Sequence, residues 1–146
     1  MPSIERFRRL LPGIWFGVLA AIAFVATPAA FRTLDVASAG LVARRIFEWE
    51  SGLSLAFGVL ILVIERRAGF ARHLESGVSQ FSVEMMLALG ALFCTVAGYY
   101  GLQPMMEIAR AGGQTSLSFG QLHALSMAFF GAKGLLVLAL AWKATR

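Results

Sequence analysis

Lys133 interrupts an otherwise uncharged run from Phe119 to Trp142, about 15 Å of helix away from the Lys143 that closes it, at ~1.5 Å per residue. An ammonium group at that depth of an apolar helix needs a carboxylate or water. Glu84 and Glu65 are the carboxylates on the same side in sequence, so Lys133, Glu84 and Glu65 form a candidate intramembrane ion pair. Such a group can be a structural pair, a snorkelling lysine, or part of a proton or ion pathway. Near the other end of that run stands His123, with Ser126 and Met127 one turn further and Met105 and Met106 in the segment before it. Histidine and methionine at this spacing can bind copper(I) or an axial position of haem, and His123 and Met127 are the metal candidates. The second histidine, His73, falls on the opposite side, which excludes a bis-histidine haem within one chain. A hydrogen-bonded structural histidine and an acid–base histidine stay open beside metal ligation.

A third group is defined by level. Thr27 and Arg32 close the first apolar run, Glu48 and Glu50 open the second, Tyr99, Tyr100 and Gln103 close the third, and His123 and Ser126 open the fourth. Together, Arg32, Glu48, Glu50, Tyr99, Gln103, His123 and Ser126 form a candidate outer polar rim. It is read either as an ion-paired, aromatic-belted edge, with Arg32 and Arg45 neutralising Glu48 and Glu50, or as a small pocket. Catalytic machinery is not visible: there is no phosphate-binding glycine loop, no nucleophile elbow and no usable carboxylate dyad. The single cysteine, Cys94, lies in an apolar run and reads as packing.

The elements that must position these residues follow from composition. The sequence is 58% hydrophobic and 14% charged, whereas a soluble domain has about 45–50% apolar and ~25% charged residues. A short chain cannot hide that excess in one core, which makes a bilayer its solvent. The net charge of +5 comes from arginine clusters between apolar runs, with no basic-aromatic stripe, so anionic headgroups fit it and nucleic acid does not. Leu10 to Phe31 makes the first span, and its basic start and Ala-Thr-Pro-Ala-Ala ending also imitate a secretory signal. Ser51 to Ile64 gives only about 21 Å of helix, short of a ~30 Å core. The second span must therefore begin near Arg45, with Asp35 to Arg44 as a surface linker and Glu65 to His73 as a charged connection. Met85 to Met106 gives the third, which Pro104 is expected to end. Ala111 to Ser118 reads as a loop.

The reading is an all-α polytopic membrane protein, a single transmembrane domain over 1–146. Its spans lie near 10–31, 45–65, 83–103 and 119–142 in a four-helix antiparallel bundle. More lysine and arginine flank the end bearing both termini (Arg6, Arg8, Arg9, Arg66, Arg67, Arg72, Lys143, Arg146) than the opposite end (Arg32, Arg44, Arg45, Arg110). This places both termini in the cytoplasm and the chain in a bacterial inner membrane. Small residues are expected to carry the packing: Gly120, Ala124, Gly131 and Gly134 in the fourth span, Gly13 and Gly17 in the first, Gly90 and Gly98 in the third. They could equally support a homo-oligomer or a larger membrane complex. No heptad run, low-complexity tract or convincing internal repeat is visible.

Four pieces resemble the transmembrane protein 205-like family, a four-span group of unknown function: Phe31-Arg32-Thr33-Leu34, Ala39-Gly40-Leu41-Val42 with Ile46-Phe47, Gln103-Pro104-Met105-Met106-Glu107, and Leu122-His123-Ala124-Leu125-Ser126. The chain departs from that pattern at Asp35 and Glu48, where the family often has proline, and at Ala124 and Phe130, near which it has glycine and asparagine. More distantly, Trp15-Phe16-Gly17 leading to Pro28 and Phe31-Arg32 is similar to the first span of the copper-resistance protein D superfamily, without its first-span histidine. That likeness implies haem or copper handling. The residues themselves favour a non-enzymatic role with no cofactor: small-solute or metal handling, or membrane assembly, through the outer rim. A haem- or copper-binding oxidoreductase is the alternative.

Overall fold

The computed structural model describes residues 2–77, 79 and 81–145, without the side chains of residues 2–4 and 76. Arg146, counted above among the flanking charges, lies outside the described residues. Among the described residues six α-helical segments, broken by two π-helical turns, make four rods: α1 (Pro2–Ala21), a π-turn (Ile22–Ala26) and α2 (Thr27–Thr33); α3 (Val36–Ser76); α4 (Val83–Thr95), a π-turn (Val96–Gly101) and α5 (Gln103–Arg110); and α6 (Phe119–Ala144). All four are long and apolar enough to cross a membrane, which marks the chain as a multi-pass membrane protein.

Three boundaries differ from the sequence expectation. The segment from Asp35 to Arg44 is helix and not a surface linker. Asp35 caps α3 by accepting from the backbone N–H groups of Ala37 and Ser38, each at 3.1 Å, and the helix then runs unbroken for 41 residues. The hydrogen bonding from Ser38 and Ala37 holds the Asp35 carboxyl below its ordinary range. The cap therefore works at neutral pH and is lost as pH falls through that lowered value. The charged stretch from Glu65 to His73 is likewise helical, with Gly77 at φ 66° ending α3. At ~1.5 Å per residue α3 is about 61 Å long, twice a ~30 Å hydrocarbon core. Pro104 does not end the third rod either. It stands in the first turn of α5, where its missing N–H costs little, and the preceding π-turn absorbs the break. Pro28 does the same after the first π-turn.

The rods pack as a ring in which α1 touches α3 and α6, and α4 touches the same two. The core joins Leu11, Trp15 and Leu19 of α1 to Ile61 of α3, Ala88 and Ala91 of α4, and Val137 and Leu140 of α6. Small residues do carry close approach, but not those on α6. A Cβ added at Gly98 would lie 2.5 Å from the Cβ of Phe129, whereas one at Gly13, Gly17, Gly120, Gly131 or Gly134 would meet nothing within 4 Å. The small-residue face of the fourth span looks outward because α6 turns Leu122, Lys133, Val137 and Leu140 into the bundle instead.

Candidate functional site: a buried ion pair between two collars

Charged collars close the bundle at both ends. At the end bearing the termini, Arg8 Nε of α1 donates to Glu65 Oε1 of α3 at 2.5 Å, and Ser82 Oγ reaches the other oxygen at 3.3 Å. Beside them Lys143 of α6 lies 3.7 Å from Glu84 of α4. At the loop end Arg44 pairs with Glu107, Arg45 Nη1 donates to Glu48 Oε2 at 2.8 Å, and the Arg110 guanidinium sits 5.1 Å above the Phe119 ring. Along α3, Arg44 and Glu65 are about 31 Å apart at ~1.5 Å per residue, the thickness of a hydrocarbon core.

Between the collars lies one charge pair cut off from both. Lys133 Nζ donates to Glu50 Oε1 at 2.6 Å, with 4% and 3% of the two side chains exposed. Ser54, one turn beyond Glu50 on α3, donates its hydroxyl to the same oxygen and accepts from Trp15 Nε1 of α1 at 2.9 Å. Two rods thus meet at one carboxylate oxygen, and a third joins them through the Ser54 hydroxyl. Residues of this kind are expected where a membrane helix must satisfy a charge internally, since no water is available to do so.

Aromatic side chains shut the pair off toward the loop end. The Phe130 ring stands 4.9 Å from Lys133 Nζ and meets Phe47 edge-on at 5.3 Å. Nearby, Ser51 Oγ is 3.3 Å from Tyr100 Oη. Toward the termini, Trp15 stacks on Phe57 at 6.2 Å and packs with Ile61, Val137 and Leu140. Below this plug opens a polar cavity of about 270 Å³, lined by Arg8, Arg9, Glu65, Glu84 and Lys143 and roofed by Pro12, Ile61 and Leu140. Its roof residue Leu140 is about 10 Å along α6 from Lys133, at ~1.5 Å per residue.

These contacts correct the expected site. Lys133 does not reach Glu84 or Glu65, which are engaged by Lys143 and Arg8. Its side chain extends toward the loop end, where Glu50 of α3 is the nearer carboxylate. Glu50 accordingly leaves the rim for the interior. Of the remaining rim residues, Glu48 bonds Arg45 and Ser126 Oγ donates to the Gly98 carbonyl at 3.1 Å. Arg32 is exposed and not paired with either glutamate, while Tyr99 and Gln103 are half-buried, Tyr99 edge-on to Tyr100 at 5.1 Å. The metal candidates do not converge: His123 is exposed and stacked on Phe119 at 6.1 Å, and Met127 is 63% exposed. Among the described residues no three histidine, cysteine or acidic side chains gather as a metal site. The sequence missed Trp15 and Ser54. A Ser54 one turn after Glu50 was the available signal, but a tryptophan from another span announces its partner only in the folded bundle.

A family model described as Domain of unknown function (DUF4149) matches residues 10–115. The chain belongs to this family. The match takes in Trp15, Glu50 and Ser54 and ends before α6, so the family domain as matched holds the carboxylate side of the pair while Lys133 lies beyond it. No curated protein and no solved structure matches the chain.

Proposed function

We propose that the chain is a carrier for a small solute, with the Glu50–Lys133 pair as the element it exposes to one side of the membrane at a time. The observation behind this reading is the pair's position: fully enclosed at mid-depth, with an aromatic layer on one side and an apolar plug above a polar cavity on the other. A pair needed only to fasten helices is poorly placed here, because desolvating two charges costs several kcal/mol each and well-packed apolar residues fasten as firmly. Intramembrane charges of this kind mark solute and proton pathways. The rim then serves as the outer approach. The surplus of basic residues around the termini supports a cytoplasmic location for them in a bacterial inner membrane. The resemblance to the transmembrane protein 205-like family agrees in span number and brings no substrate. A haem- or copper-binding oxidoreductase of the copper-resistance protein D kind has less support, since His123 faces outward and stacks on Phe119.

The test is counterflow into vesicles holding the purified full chain, with labelled small organic acids, amines and sugars at pH 6 and pH 8. The expected result is uptake of at least one class by the native chain and its loss in Lys133→Met that still elutes as a folded species. No uptake of any class by folded protein, together with co-purification in a larger complex, would overturn the carrier in favour of an assembly role.

A further inference from the structure

The chain's two halves can be laid over each other residue by residue. Glu50 and Lys133 are 83 positions apart, and the same separation links Phe47 with Phe130, another pair meeting across the bundle. It also links Asp35 with Ser118, and both are N-caps whose side chains accept from the first turn of their helices. Buried positions agree as well: Ala39 and Leu122 are both 0% exposed, and Ser54 and Val137 are 1% and 0%. In the preceding rods a second constant separation, shorter because α5 and the 111–118 loop are longer than α2 and the connection after it, links Pro28 with Pro104, each in the first turn of a short helix that follows a π-turn. Under that separation Trp15 answers to Ala91, Leu19 to Thr95 and Ala30 to Met106, all of them buried. The packing ring has the matching symmetry, since α1 and α4 each touch both α3 and α6.

We infer that the bundle is an internal duplicate. Its halves, Pro2–Ser76 and Val83–Ala144, are equivalent about an axis along the membrane normal, and that axis passes between Glu50 and Lys133. Both halves start at the same end, so the repeat is parallel and not inverted. Each half contributes one member of the aromatic layer and one member of the charge pair, which explains why α3 and α6, on opposite corners of the ring, reach each other at these two layers. On the carrier reading, the solute site lies between parallel repeats near the midplane, where such repeats part. The duplication itself does not depend on that reading. It escapes sequence inspection because equivalent positions have diverged in residue type, glutamate to lysine and tryptophan to alanine, while keeping burial, caps and prolines.

Two substitutions sets in the full chain test the axis, read as yield of folded, monodisperse protein in mild detergent. Exchange of the pair, Glu50→Lys with Lys133→Glu, is expected to restore most of the yield that either reversal alone lowers roughly tenfold or more. The second moves the pair one turn along the axis. In an E50Q/K133M background, Val137→Lys alone loses yield, and adding Ser54→Glu, its equivalent position, recovers it. Adding Leu55→Glu, a neighbour off the axis, does not. Recovery by Ser54→Glu alone supports the duplicate. Equal recovery by both glutamates, or by neither, overturns it, whatever the counterflow assay shows.

Discussion

Glu50–Lys133 and Arg44–Glu107 are both carboxylate–cation pairs joining separate rods, yet their settings are opposite. The first has 4% and 3% of its side chains exposed, the second 44% and 43%. The collar pair can exchange its partner for water or a headgroup at little cost, so it adds little to stability. The central pair has no such exchange available. Its two members are held by each other, by Ser54 and through Ser54 by Trp15. Equal chemistry therefore has unequal weight, and burial decides which pair the fold depends on.

That contrast can be broken directly at the centre. Replacing only Lys133 by methionine, or only Glu50 by leucine, leaves a partner buried and is expected to cost about 3–5 kcal/mol. The double replacement should cost much less, and reversible unfolding in mixed micelles measures both. Two single variants no worse than the double would mean that water already reaches the pair. A packing comparison sharpens the same point away from charge. Gly98→Ala forces its new Cβ to within 2.5 Å of the Phe129 Cβ, which is backbone-fixed and cannot swing away. The expected loss is about 1–3 kcal/mol in the same assay. Gly131→Ala meets nothing within 4 Å, so it should be neutral or stabilise by up to about 1 kcal/mol through helix propensity. The smallest effect belongs to the loop-end collar: Arg44→Ala or Glu107→Ala should shift stability by about 1 kcal/mol or less. A larger loss there would show that the collar, and not the centre, holds the rods.

Much of the architecture is legible before any folding is considered. Four apolar runs, the need to lengthen the second by taking Glu48 and Glu50 into the membrane, and the expense of Lys133 are all properties of local sequence, because a helix in lipid satisfies its backbone from within and is recognised by length and polarity alone. The breaks were harder to read. A proline after an apolar run looks like an end, and only the π-turn ahead of Pro104 shows why the rod continues. Asp35 reads as the start of a linker because an N-cap and a linker residue are of the same polar type.

What the sequence determined by itself is that the chain must house charges in a bilayer, and which residues carry them. Tertiary structure alone decided the pairing. Lys133 could reach toward either end of its helix, and the rotation of α6 against α3 turns it to Glu50, leaving Glu65 to Arg8 and Glu84 to Lys143. A contact between residues 83 positions apart depends on the relative turn and height of two rods, and neither quantity is written in the periodicity of either one.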